Sequence, residues 1–326
     1  MKNIFITGAS GCIGHYIVES LLEDTDHFLY LLVRNPDKLQ FEWKNNPRIK
    51  VLQGNLREIE EYSDLLLKEI NIAILGATSW GGAAESYDIN VVKTLALIEM
   101  LNPKICEQVL YFSTASILDR ENNLLLPASE FGTDYIRTKY QCFSQLSKLK
   151  ISDRIITLFP TLVLGGDKNK PVSHLSSGLP EIVKWLGLIR WIKTDGSFHF
   201  IHGRDIAKVV TYLVQNSQQI KEKKDNISNK ESQSVDKMVL GNQPITVNET
   251  IEQICNYFDK KVYFAIPLYS WLTNLIVKVF RIQMDSWSYF SLTYRHFTYK
   301  NVVTPNNFGL NNYVSTVEDI MKTAGF

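Results

Sequence analysis

Tyr135 and Lys139 stand four residues apart in a stretch, 134–148, whose pattern predicts a helix, so their side chains share one face. An ammonium beside a phenol favours the phenolate and draws its pKa down from about 10. A tyrosine so tuned can pass a proton to or from the oxygen of a bound substrate. Ser113 and Thr114 end the apolar run 109–112 that precedes this helix, where either hydroxyl could hold the same oxygen. The spacing alone is weakly specific, because Tyr257 and Lys261 repeat it further on. Position separates the two pairs: only the first lies beside the cleft that the rest of the chain predicts.

That cleft is announced by Thr7-Gly8-Ala9-Ser10-Gly11-Cys12-Ile13-Gly14, between the apolar run Asn3-Ile4-Phe5-Ile6 and an amphipathic segment over 13–22. In a strand–turn–helix context Gly8 permits the tight turn and Gly11 lets a pyrophosphate approach the backbone. Gly14 lets the helix pack close to the strand. The helix N-terminus offers unpaired N–H groups and partial positive charge to the phosphates. Ser10, Cys12 and Ile13 complete this expected dinucleotide site. Arg34 closes the apolar run 28–33, where a carboxylate would bind the ribose 2′-hydroxyl and an arginine accommodates a 2′-phosphate. NADP is therefore expected as cofactor, with NAD the alternative; Asp37 is a weaker rival for a ribose contact.

The elements that must position these groups alternate. Apolar runs at 28–33, 49–52, 72–75, 109–112 and 155–159 read as strands, and 13–22, 59–70, 87–101 and 134–148 as helices. This pattern predicts an α/β fold with a Rossmann-type, doubly wound parallel sheet and its ligand at the carboxyl ends of the strands. Asn55 and Leu56, the small residues Gly76, Ala77 and Thr78, and Pro160 fall at such ends, while Asn90 falls on a helix. Beyond Leu164 come a loop over 165–177, an apolar helix over 179–191, a strand over 198–201 and a helix over 204–215 with Asp205 in its first turn. Strand character resumes at 238–241, and Thr246 with Glu249 opens a helix as a capping box. The polar tract 218–236 reads as a solvated or disordered insertion. The expected domains are a dinucleotide-binding unit over 1–165, rejoined by 197–245, and a smaller, mostly C-terminal substrate-covering region from 166–196 and 246–326. Trp185, Trp191, Phe198, Trp271, Trp287 and Tyr289 hint at an aromatic pocket.

Composition narrows the partners. The 326 residues are 45% hydrophobic and 21% charged with a net charge of +1, an ordinary globular balance that points to no nucleic acid. Cys12, Cys106, Cys142 and Cys255 are scattered without metal-like spacing, which favours free thiols in a reducing, cytoplasmic setting and no metal. No charged n-region precedes the first strand, so no secretory leader is expected. No apolar run reaches the roughly 18 residues of a membrane span. The stretch 271–280, interrupted by Thr273, Asn274 and Lys278, reads first as a buried pocket helix and second as a peripheral membrane contact. The expected partners are a small-molecule substrate and, at most, a second copy of the chain in a homodimer.

Over most of its length the chain resembles an extended short-chain dehydrogenase/reductase of the NAD-dependent epimerase/dehydratase group. The carriers are Thr7 to Gly14, Gly54-Asn55-Leu56, Asn90-Val91 with Thr94, Ser113-Thr114-Ala115, and Tyr135 with Lys139. Pro160-Thr161-Leu162-Val163, Phe200-Ile201-His202 with Asp205-Ile206-Ala207, and Phe308-Gly309-Leu310 before Val317 continue it. The resemblance implies that Tyr135 is the catalytic acid/base and that Lys139 holds the nicotinamide ribose. It implies that Thr114, with Ser113 as its rival, orients the substrate oxygen, and that Pro160 and Leu162 border the nicotinamide. Asn55 takes the place of a usual aspartate near the adenine, and Asn90 joins the cofactor site. Departures bear on the substrate. Leu118-Asp119 replace a Tyr-Gly pair, Ala115-Ser116 stand where dehydratases carry Asp-Glu, and Leu162 replaces a diphosphate-binding asparagine. The expected activity is NAD(P)-dependent carbonyl/alcohol hydride transfer. The alternatives are a nucleotide-sugar epimerase or dehydratase and a non-catalytic NADP-binding regulatory or assembly protein.

Overall fold

The computed structural model describes residues 1–227, 235–262, 264–267 and 284–326. The continuous apolar runs become strands covered on both faces, as their lack of polar alternation requires. These are β1 (Asn3–Thr7), β2 (Phe28–Val33), β3 (Ile49–Gln53), β4 (Ile72–Leu75), β5 (Gln108–Phe112) and β6 (Ile155–Pro160). Four short strands follow, β7 (Leu162–Leu164), β8 (Ile192–Lys193), β9 (Ser197–Phe198) and β10 (Phe200–His202), before β11 (Asp236–Leu240). β11 pairs parallel to β6 and completes a seven-stranded parallel sheet in the order β11-β6-β5-β4-β1-β2-β3. The strand order reverses between β1 and β4, which is where the glycine turn ends up.

Each face of the sheet has its own core. Ile4, Ile6, Leu29, Leu31, Ile72 and Ile74 pack against α1 (Cys12–Asp24) through Ile17, Val18 and Leu21. Alternate residues of the same strands, Phe5, Leu32, Ala73, Leu75 and Val109, face the opposite way. They meet Leu66 of α2 (Ser63–Lys68), then α3 (Gly82–Tyr87) and α4 (Thr94–Met100) on the helical stretch that supplies Ile89 and Ile98. After α5 (Leu126–Glu130), α6 (Asp134–Leu146) adds Cys142 and Leu146 to that core. On the first face α8 (Gly203–Gln215), which follows α7 (Leu179–Ile189) in the chain, lies against α1 through Ile206, Val209, Val210 and Leu213. The buried Asp205 carboxylate accepts from the Tyr313 N–H at 2.6 Å and the Val314 N–H at 3.0 Å, pinning the C-terminal segment to α8. The capping box expected at Thr246 forms at α10 (Val247–Tyr257).

Several expected elements change. The helix over 59–70 is a 3-10 segment, Leu56–Tyr62, kinked at Glu58 and followed by α2; the Asn55 side chain caps it by accepting from the Arg57 N–H. The helix over 87–101 starts earlier, with α3, and passes through a π-helical stretch, Asp88–Lys93, into α4. The strand over 198–201 is two strands, because His199 turns inward between them. Its Nδ1–H donates to the Asn242 carbonyl at 2.7 Å, and its Nε2 accepts from the Tyr299 N–H at 3.0 Å. The tract 218–236 contains a helix, α9 (Ser217–Ile227), which continues from the end of α8; residues 228–234 lie outside the described residues. The stretch 271–280 also lies outside them. No described helix is long and apolar enough to cross a membrane.

Candidate active site

The glycine turn is set by contact distances. Gly8 has φ +81°, and a Cβ there would lie 2.6 Å from the Gly76 carbonyl carbon at the end of β4. A Cβ on Gly14 would lie 2.1 Å from the Gly8 carbonyl oxygen, so α1 meets the turn backbone to backbone. At Gly11 the nearest atom would be 3.4 Å away, ordinary contact that leaves this side open to a ligand. Thr7 Oγ1 accepts from the Ala77 N–H at 3.2 Å and holds the end of β4 beside the turn. His15, which sequence reasoning passed over, fastens the turn from behind. Its Nδ1–H donates to the Gly11 carbonyl at 2.9 Å and its Nε2 accepts from the Gln40 N–H at 3.0 Å. Burial lowers its pKa and keeps the ring neutral, as that tautomer requires.

Two cavities open from this turn and share Thr7, Gly8, Gly11, Gly76 and Thr78. The first, about 240 Å³, is also lined by Ser10, Arg34, Asn55, Leu56 and Ala77. Arg57 joins this wall but is paired with Glu85 and Asp88, each at 3.4 Å. Arg34 is exposed and makes no ion pair among the described residues. The second, about 510 Å³, runs past Cys12, Ile13 and Gly14 to Ser113, Thr114, Tyr135, Lys139, Pro160 and Leu162. The expected site residues thus line one cleft across the carboxyl ends of β1 to β6, with one exception. Asn90 lines neither cavity. Fully buried, it accepts from Thr78 Oγ1 and the Ser79 N–H and donates to the Ser79 carbonyl and Thr138 Oγ1. Its amide is satisfied by protein, so it braces the loop after β4 against α6.

Thr133 caps α6 by accepting from the Ile136 N–H at 3.3 Å, which places Tyr135 in the first turn and Lys139 one turn on. Thr114, just past the end of β5, lines the cavity with Tyr135, and its Oγ1 donates to Ser116 Oγ at 3.3 Å. Ser113 is buried, and its hydroxyl has no hydrogen-bond partner among the described residues although it lines the cavity. The buried Lys139 ammonium donates to the Phe112 carbonyl at 2.7 Å and lies 6.0 Å from the Tyr135 ring centre. Burial brings its pKa down to about 8. The expected lowering of Tyr135 is corrected: burial pushes the phenol up to about 12, outweighing the opposing pull of the nearby Thr114 hydroxyl, while the Lys139 ammonium is turned toward Phe112. Burial also holds the Cys12 thiol near 12, so it stays protonated in the cleft wall.

The aromatic residue of the site is one the sequence did not single out. Trp80, in the loop between β4 and α3, stacks on Tyr135 with ring centres 3.9 Å apart and planes within 14°. The expected aromatics lie elsewhere: Trp185, Trp191, Phe198, Trp287 and Tyr289 line neither cavity. Trp191 stacks on Phe264, Trp287 on Phe290, and Trp185 projects from α7. Trp271 lies outside the described residues.

A sequence model of the NAD dependent epimerase/dehydratase family matches residues 4–228. No curated protein matches the chain in sequence. Among solved structures, the dTDP-glucose 4,6-dehydratase of Bacillus anthracis, in complex with NAD, aligns with a TM-score of 0.63 at 14% identity, covering 99% of this chain and 96% of its own. A UDP-glucose-4-epimerase from Stenotrophomonas maltophila, with NAD and formylated UDP-arabinopyranose, aligns at 0.64 and 15% identity, covering 99% and 97%. The Bordetella bronchiseptica enzyme WbmG, in complex with NAD and UDP, aligns at 0.60 and 14%, covering 98% and 93%. At such identities the likeness is one of fold.

Proposed function

The chain belongs to the NAD-dependent epimerase/dehydratase family, and we propose that within it this member is an NADP-preferring oxidoreductase that interconverts a carbonyl and an alcohol. The observation that carries the reading is that Tyr135, Thr114 and Lys139 lie at one end of a cleft that runs past the glycine turn to Arg34. The cleft suits a dinucleotide: Gly11 is open on its ligand side, and among the described residues Arg34 stands at the far rim without an ion pair and the buried Ser113 hydroxyl has no partner.

In this reading the turn's N–H groups would take the pyrophosphate and Arg34 the 2′-phosphate, while Asn55 and Leu56 would lie near the adenine. Lys139 would hold the nicotinamide ribose, and Pro160 and Leu162 would border the nicotinamide. When bound, the cofactor supplies or accepts a hydride at its nicotinamide. In reduction Tyr135 gives its phenolic proton to the substrate oxygen as the carbonyl carbon gains the hydride, and the phenolate is reprotonated from water. In oxidation the proton moves the other way. A phenol with a pKa near 12 is protonated at neutral pH, the form that reduction needs. Thr114 positions the oxygen, and Ser113 lies within the same wall.

Residues 1–165 with 197–245 are assigned here to cofactor binding, and 166–196 with 246–326 to covering the substrate. Four free thiols support a reducing, cytoplasmic setting. A nucleotide-sugar epimerase or dehydratase using NAD is the second reading, favoured by what the similar structures hold. Ala115 and Ser116 offer no carboxylate for water loss, which weighs against a dehydratase. Thermal-shift titration with NADPH, NADP, NADH and NAD, followed by a carbonyl panel with the preferred cofactor, separates the two readings. A larger shift with NADH, or turnover of nucleotide sugars alone, would favour the second. Cofactor binding with no hydride transfer to any carbonyl would favour a non-catalytic role.

A further inference from the structure

Trp80 is held in place by a built loop. The residue before it is fixed on both backbone sides, since the Ser79 N–H donates to Asn90 Oδ1 at 2.8 Å and the Ser79 carbonyl accepts from Asn90 Nδ2 at 3.0 Å. Ser79 Oγ donates to Glu85 at 2.9 Å and accepts from the Gly81 N–H at 3.1 Å. Gly82, with φ +82°, then turns the chain into α3. So anchored, the indole lies flat on Tyr135 and 6.3 Å from the His174 ring, yet is 65% exposed. A large aromatic surface is left in water beside the hydroxyl that handles the substrate's proton, and a ligand would cover it.

The charge of the same cavity points one way. Among the described lining residues the groups able to carry positive charge are Lys139, turned to the Phe112 carbonyl, and His174. Among those described lining residues none carries a guanidinium to pair with a diphosphate, and an unpaired anion in an apolar cleft is costly. We propose that Trp80 is the specificity-determining residue of the site, a stacking platform that selects a planar, uncharged aryl or conjugated carbonyl compound over an aliphatic one or a nucleotide sugar. The inference rests on Tyr135 being the proton donor. With the substrate oxygen at the Tyr135 and Thr114 hydroxyls, the group on the carbonyl carbon meets the indole. Stacking there is realised with a flat substituent and lost with a flexible chain.

The test compares kcat/KM for benzaldehyde and for butanal in wild type, Trp80→Phe and Trp80→Ala, with UDP-glucose as a third substrate. The expected result is that Trp80→Ala lowers the benzaldehyde-to-butanal ratio at least tenfold, mainly through KM, and that Trp80→Phe restores most of it. An equal loss for both aldehydes in Trp80→Ala would make the indole a support for Tyr135 only and overturn the inference, as would turnover confined to UDP-glucose. Wild-type reduction of either aldehyde keeps the proposed reaction standing whatever Trp80 does. Failure of wild type on every substrate would overturn that reaction and this inference with it.

Discussion

Lys139 Nζ donates a 2.7 Å hydrogen bond to the Phe112 carbonyl oxygen at the end of β5 and lies 6.0 Å from the centre of the Tyr135 ring. The lysine is thus anchored to the strand, and its ammonium sits buried over Tyr111 at 4.9 Å from that ring's centre.

That burial has a consequence for pH. Lys139 is charged up to about pH 8 in the folded chain against an ordinary value of 10.5, so the folded chain carries the smaller share of protons between those values. Stability therefore rises with pH across that window. Cofactor binding should run the opposite way, because the ammonium that holds the ribose is lost as pH climbs through about 8. A plot of NADPH dissociation constant against pH should bend upward there, and Lys139→Met should flatten it. A wild-type curve flat from pH 7 to 9.5 would remove Lys139 from cofactor binding.

Arg34 carries the choice between dinucleotides. Replacing it with aspartate puts a carboxylate where a 2′-phosphate would sit and where a ribose hydroxyl could be accepted. The NADPH-to-NADH affinity ratio should fall by at least tenfold, read by thermal shift or by titration of nicotinamide fluorescence. An unchanged ratio would leave Arg34 as a solvated side chain.

Gly14→Ala should damage the turn itself. The added methyl meets the Gly8 carbonyl oxygen at 2.1 Å and the Ala9 Cα at 2.7 Å, both backbone atoms, so relief needs α1 to shift. Overpacking of this kind costs about 1–3 kcal/mol. Urea denaturation should report a loss of that order together with weakened cofactor binding. Gly178→Ala, where nothing lies within 4 Å, is the matched control.

His202 caps α8 as a neutral ring: its Nδ1 accepts from the Arg204 N–H at 3.1 Å, between Tyr16 and Tyr313. Burial and the nearby Arg204 lower its pKa from 6.5 to about 4. The unfolded chain binds this proton first as pH falls, so stability drops from about pH 6.5 down to about 4, by up to roughly 3 kcal/mol from this group. His202→Asn keeps an acceptor for the Arg204 N–H and should make Tm less steep between pH 7 and 5. An unaltered slope would assign acid sensitivity to other groups.

How much of this was legible in the sequence follows from where the physics is local. β2 and β4 fall on their apolar runs because a strand buried on both faces has no polar interruption to blur its ends. The glycine turn, Tyr135, Lys139 and Thr114 were legible because spacing alone brings them to strand ends and one helix face. Asn90 shows the limit: its position was right, but whether an amide meets a ligand or a loop depends on partners 48 residues away in sequence, at Thr138. α9 was missed because a helix without an apolar stripe has no periodic signal. Trp80 was hidden for a related reason, since a lone tryptophan in a glycine-flanked loop has no motif and acquires its place only through Ser79, Asn90 and the fold of α6.

Tyr135, in the proposed reaction, moves the substrate's proton during hydride transfer, and single-turnover kinetics of Tyr135→Phe read that step. Wild type and variant are each saturated with NADPH and mixed with the best carbonyl of the panel, and nicotinamide absorbance is followed. The expected result is a fall in hydride-transfer rate of about 10²–10⁴-fold with NADPH affinity within a few-fold of wild type, since the phenyl ring keeps its stack on Trp80 and only the proton donor is gone. A variant that transfers hydride at the wild-type rate would contradict the claim.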